Sequence, residues 1–173
     1  MLIISRKEIE GRISKIISEM EKKNLDALYV ASSSNIAYIT NFFFIPTERP
    51  IALLIRSDGE TTLFVPRLEY EHALKYSYAD NVFYYNEYPD EYHPMMVISE
   101  YIRKMGLERK KIGFDIDGYG HVFGYRDPKL SDLLKASYSY ERDLIEKLRM
   151  IKSEEEIRLL KESAKWGFGF HWA

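Results

Sequence analysis

The chain has 173 residues, 46% hydrophobic and 30% charged, with a formal net charge of −2. That balance excludes an intrinsically disordered chain and supplies no basic field for nucleic acid. The absence of cysteine excludes a thiol nucleophile, a disulfide framework and any thiolate metal site.

No run approaches the ~20 apolar residues that span a bilayer. The apolar start Met1-Leu2-Ile3-Ile4 meets Ser5-Arg6-Lys7-Glu8 at once, unlike a secretory signal. The expectation is a cytoplasmic protein with neither a membrane nor a nucleic acid as partner.

Ser5-x-x-Glu8 is a capping box. Behind it Ile9, Ile13, Ile16, Ile17 and Met20 recur at helical spacing, which predicts a helix over 6–23 that stops at Asn24. Residues 27–31 (Ala-Leu-Tyr-Val-Ala) read as a buried strand. Ser32, Ser33, Ser34 and Asn35 offer caps for a short helix through Ile39, and residues 41–50, with two prolines, read as a loop. Residues 51–55 and 61–65 flank Asp58-Gly59, a hairpin signal. A helix beginning at Pro66 and continuing through Leu68, Ala73 and Leu74 follows.

Residues 82–85 read as a strand. Residues 92–105 read as a helix, with Met96, Val97, Ile98, Tyr101, Ile102 and Met105 inward and Gly106 as its cap. A strand over 111–115, a helix over 128–135, an edge strand over 137–140 and a helix over 142–149 come next. A second capping box, Ser153-x-x-Glu156, opens a helix running to about Trp166, where Gly167 and Gly169 should stop it. Alternating strands and helices with one hairpin predict an α/β fold with a mixed sheet.

Chemistry is sparse. Asp115-x-Asp117-Gly118 at a strand end has the spacing of a Mg²⁺-dependent phosphatase nucleophile pair, but Tyr119-Gly120 follow where such an enzyme needs a Thr and an apolar residue. Gly118-x-Gly120-x-x-x-Gly124 misses the dinucleotide spacing and reads as a turn. Glu69-x-x-His72 places two potential ligands on one helix face with no second pair. His93, His121 and His171 have no ligand spacing. No Gly-x-Ser-x-Gly elbow and no phosphate-binding loop occurs, and Arg109-Lys110-Lys111 reads as a solvated linker.

Four ordered segments carry a resemblance. They are Asp26 to Val30 leading to Asn35-Ile36-Ala37-Tyr38-Ile39-Thr40-Asn41-Phe42, and Arg49-Pro50 through Asp58-Gly59-Glu60 to Leu63-Phe64-Val65-Pro66, Glu69 and Ala73. The others are Lys111-Ile112-Gly113-Phe114-Asp115, and Leu148-Arg149-Met150-Ile151-Lys152-Ser153 with Glu156-Ile157. In that order they resemble the N-terminal domain of the creatinase/prolidase family, which includes Xaa-Pro dipeptidases and aminopeptidases P.

The resemblance implies a three-layer α/β/α domain with a mixed sheet over 1–147, and a junction plus the first helix of a second domain over 148–173. It implies that the two divalent metals belong to a following catalytic domain, so no cofactor and no catalytic residue is expected in this chain. It implies a homodimer whose 41–49 loop reaches a partner's site and meets a proline-containing peptide. Asn41, Phe42, Phe43, Phe44 and Arg49 are the candidate substrate-binding residues, the three Phe as an apolar wall and Arg49 toward a carboxylate. Asn41 stands where the family has Gly, and a positive φ there suits Asn. Uncovered by a second domain, Ile157, Leu160 and Ala164 are expected to dock on this domain or on a second copy. Two alternatives stay open, a stand-alone peptide- or protein-binding module on the same fold and, behind it, an Asp115-dependent phosphatase.

Overall fold

Alternation in β1 (Ala27–Val30) sets the architecture. All four residues are buried, with Leu28 and Val30 in one apolar cluster and Ala27 and Tyr29 in another. A strand buried on both faces must be central and covered on both sides. The computed structural model describes residues 4–86, 92–119 and 128–170. It shows a six-stranded sheet ordered β4-β3-β2-β1-β5-β6. The other strands are β2 (Ala52–Arg56), β3 (Thr61–Pro66), β4 (Asn81–Tyr85), β5 (Lys111–Phe114) and β6 (Ser137–Tyr140). The β1–β2 and β2–β3 pairs are antiparallel and the other three are parallel, so the sheet is mixed as expected.

One face carries α1 (Arg6–Lys22), α2 (Ser33–Thr40), α3 (Tyr70–Tyr76) and α6 (Arg142–Met150), around Ile16, Met20, Ile36, Ala73 and Ile145. The other carries α4 (Pro94–Ile102) and α5 (Leu130–Leu133), around Met95, Ile98, Ile102 and Leu130. This is the three-layer α/β/α arrangement. Gly113 of β5 is tightly packed, since a Cβ there would lie 2.8 Å from Leu25 Cδ1 and 3.0 Å from Leu28 Cδ1 and those side chains would have to shift. Asp58-Gly59 makes the expected turn, with Gly59 at φ +93°. No described helix is long and apolar enough to cross a membrane.

Several local expectations need correcting. Pro66 closes β3 instead of opening a helix, and a single tight turn over Arg67–Glu69 separates it from α3. Leu68 and Leu74 are consequently exposed and Ala73 alone of the three is buried. In α4 the inward register is Met95, Ile98, Ser99 and Ile102, so Met96 faces outward. Pro94 at the first helical position fixes that register and brings Met95 Sδ to 3.9 Å from the buried Tyr29 hydroxyl. The helix expected over 128–135 is one turn, because Asp132 accepts from Lys129 N–H at 3.0 Å and Leu134 is already extended.

The first capping box is half formed. Glu8 N–H donates to Ser5 Oγ at 3.2 Å, but Ser5 N–H donates to Glu155 Oε1 at 2.6 Å while Glu8 pairs with Arg12. Ser32 precedes α2 without a side-chain cap. The helix α7 (Glu154–Phe170) runs through Gly167 and Gly169. Glycine weakens a helix by about 1 kcal/mol but does not forbid the backbone bonds, and nothing lies within 4 Å of a Cβ at Gly167 to compete with them. Only the start of α7 rests on the domain; Leu160 is 57% exposed and Trp166 68%. Residues 147 and 148 both lie inside α6, and Leu148 still packs on the core, so the break between helices falls at 151–153.

Candidate functional site

The 41–49 loop is anchored where α2 ends. Asn41 adopts φ 58°, the left-handed cap anticipated for it, and its N–H donates to Ala37 O at 2.9 Å. Thr40 Oγ1 donates to Ile36 O at 2.8 Å and accepts from Phe42 N–H at 3.2 Å. Phe42 is fully buried, with its ring 5.5 Å from Phe44 and 5.0 Å from His72. A fixed root therefore carries outward apolar tips, with Phe43 69% and Ile45 85% exposed.

Beside this loop lies a groove of about 760 Å³. Its walls are Ser33, Ala37 and Tyr38 of α2, Phe43 and Phe44 of the loop, Arg149 and Met150 of α6, and Glu156, Leu159 and Leu160 of α7. Arg12, 3% exposed, lines it from α1. Its guanidinium donates to Tyr38 O at 2.5 Å, pairs with Glu8 and Glu156 at 3.2 Å each, and lies 4.0 Å from the centre of the Tyr38 ring. Burial pushes the Tyr38 hydroxyl up, and the Arg12 charge opposes this.

The five residues singled out in the loop thus separate. Asn41, Phe43 and Phe44 line the groove. Phe42 does not wall it, because its ring belongs to the core. Arg49 sits apart in a small niche with Pro46 and Ile51, its guanidinium 3.0 Å from Glu48. Arg12, Arg149 and Glu156 were not anticipated as groove residues. For Arg12 a signal existed, since it shares a helix face with Ile9, Ile16 and Met20.

Asp115 is 2% exposed and accepts from Ala31 N–H at 2.8 Å, Ser32 N–H at 3.3 Å and Asn35 Nδ2 at 2.9 Å. Asn35 Oδ1 in turn accepts from Arg149 Nη1 at 2.9 Å, tying α6 to the sheet through α2. Burial pushes the Asp115 carboxyl up, and these donors hold it back. Asp117 turns away to Ser131, accepting its N–H at 3.1 Å and its hydroxyl at 2.5 Å. An attacking carboxylate needs an oxygen facing substrate, whereas Asp115 spends both on the backbone and Asn35. His72 pairs with Glu69 at 2.8 Å on the surface, and His93 caps α4 by accepting from Met95 N–H. Gly120, His121, Gly124 and His171 lie outside the described residues.

Among the described residues no group of three or more His, Asp or Glu side chains is placed to hold a metal. The groove's Arg12, Arg149 and Glu156 each engage a neighbour within the chain.

The creatinase/prolidase N-terminal domain family model matches residues 12–151. The chain belongs to that family. An uncharacterized peptidase of Staphylococcus aureus is 29% identical over 161 residues, covering 89% of this chain and 40% of the relative. The chain thus spans about 40% of the length of the curated relatives it matches.

Among solved structures, a proline dipeptidase from Streptococcus pneumoniae is 26% identical with a TM-score of 0.65, covering 81% of this chain and 98% of that one. A prolidase from Pyrococcus horikoshii is 25% identical with the same TM-score, covering 90% of this chain and 39% of that one. The N-terminal domain of an Xaa-Pro dipeptidase from Lactobacillus brevis, 21% identical with a TM-score of 0.64, shares the fold over 79% of this chain and 98% of that one. The family and the three-layer mixed-sheet fold expected from the sequence both hold.

Proposed function

We propose that this chain is the non-catalytic N-terminal domain of a metal-dependent Xaa-Pro dipeptidase. It serves cytoplasmic homodimerisation and the gating of proline-containing peptides at a partner's site. Family membership and the likeness to a proline dipeptidase and a prolidase support the reading. The observation that carries it is the loop with a buried root and bare tips, Phe42 fully buried and Phe43 and Ile45 exposed. An apolar tip held rigidly in water is favoured where a second surface covers it.

Sedimentation equilibrium tests this. The account expects twice the chain mass of 20.5 kDa, with weaker association in Phe43→Ala. A monomer at all concentrations overturns the dimer.

A second reading, a peptide-binding module in its own right, is favoured by the groove, whose 760 Å³ falls within the ~300–1,000 Å³ typical of ligand sites. It expects a thermal midpoint that rises with an added Xaa-Pro peptide.

A further inference from the structure

We infer that the groove beside the 41–49 loop takes the free C-terminal carboxylate of a short apolar peptide, with Arg149 as its anchor. This rests on the second reading above and names the group that reading leaves open. Charge decides the class of ligand. Two carboxylates line the groove, and each already meets a guanidinium, Glu156 that of Arg12 at 3.2 Å and Glu146 that of Arg142 at 3.5 Å. Arg12 also holds Glu8 at 3.2 Å, so its charge is met within the chain. Two lining cations remain, and both are bonded to neutral oxygens. Arg149 Nη1 donates to Asn35 Oδ1 at 2.9 Å, and Lys152 Nζ donates to Met150 O at 3.1 Å. Among the described residues neither has a carboxylate within 4 Å. A concave surface with that balance favours an anion.

Of the two cations, Arg149 is the one held in place. It is half-buried, and its partner Asn35 is 1% exposed and donates through Nδ2 to Asp115 Oδ2 at 2.9 Å. Asp115 is fixed in turn by Ala31 N–H at 2.8 Å. This buried chain from the sheet uses one guanidinium nitrogen. A guanidinium carries five N–H donors in a fixed fork, which matches the two oxygens of a carboxylate. Holding the side chain beforehand lowers the ordering cost of binding. Tyr38, Phe43, Phe44 and Met150 line the same groove, with Phe43 69% and Met150 65% exposed, so an apolar ligand body has side chains to cover. Arg149 and these four residues lie within 12–151, the span the family model matches, so this side of the groove belongs to the domain itself. Arg49, the residue the sequence pointed to for a carboxylate, sits in its own niche beside Glu48.

The test is an NMR titration of the whole chain with acetyl-Ala-Pro bearing a free C-terminal carboxylate, against the same peptide ending in an amide. The parent should bind the acid about tenfold more tightly than the amide, as expected for one charge-assisted hydrogen bond. Arg149→Gln should bring the two peptides to equal affinity, and Arg149→Lys, which keeps the charge, should retain part of the preference. Arg158→Gln, which removes a cation outside the groove, should keep all of it. The acid–amide comparison in the parent needs no variant, so it stands even where a substitution costs the fold. Equal affinity for acid and amide in the parent overturns the inference and leaves the groove reading in place. A full acid preference in folded Arg149→Gln overturns Arg149 as the anchor. Binding of neither peptide removes the groove reading and the inference with it.

Discussion

Replacing Phe42 and Phe43 one at a time separates the loop's root from its tip. Phe42 is fully buried, with its ring against Phe44 and His72. Truncation to Ala there removes a ring and leaves a cavity between α2 and α3, at a cost of about 3–5 kcal/mol. Against a folding stability of ~5–15 kcal/mol that loss is between a fifth and the whole of the reserve. At ~2–4 °C per kcal/mol for a chain of this size, the thermal midpoint should fall by about 6–20 °C. Phe43 is 69% exposed, and its truncation should stay within ~0.5 kcal/mol. Urea unfolding followed by far-UV circular dichroism gives both numbers, and sedimentation gives association. The account expects Phe42→Ala to lose stability, and Phe43→Ala to keep stability and lose association. Equal destabilisation by the two changes would refute the division into buried root and exposed tip.

Asn41 sits in the left-handed region, so Asn41→Gly should be near neutral and Asn41→Ala should cost about 1 kcal/mol in urea unfolding; equal effects would remove the backbone argument. The carboxyls should titrate apart. Burial pushes Glu141 up, but the Lys23 ammonium at 2.8 Å and the Ser139 hydroxyl outweigh it, while the Ser5 N–H and hydroxyl hold Glu155 down. A carboxyl lowered by folding contributes stability above its unfolded value and loses it as pH falls through the folded one. Asp115, raised chiefly by burial, has the opposite sign, favouring the fold at low pH and losing that contribution as pH rises through its folded value. Carbon-13 carboxyl titrations should place Glu141 and Glu155 below, and Asp115 above, the ordinary carboxylate range; the reverse order would contradict the hydrogen-bond assignments.

Much of the fold was legible because its signals are local. Asp58-Gly59 between two β-rich runs specifies a hairpin without tertiary help, and the apolar run at 27–31 announces a buried strand. Tertiary context decided the rest. The register of α4 depends on Met95 reaching Tyr29 across the core, which no local period encodes. Ser5 takes Glu155 as partner, 150 residues away, instead of the nearby Glu8. The groove was hardest to see, because Arg12, Tyr38, Arg149 and Glu156 lie on four helices and meet only after folding. Arg12 alone left a trace, a charge within the apolar stripe of Ile9, Ile16 and Met20. Glu156 was readable as a cap, and that role concealed its second oxygen's contact with Arg12.

The central claim is that this chain binds and orients without cleaving. The direct measurement is hydrolysis of an Xaa-Pro dipeptide by the purified chain with added Mn²⁺, Co²⁺ or Zn²⁺. The account predicts no turnover above the metal-only rate. Robust, metal-dependent release of proline by the chain alone would contradict it.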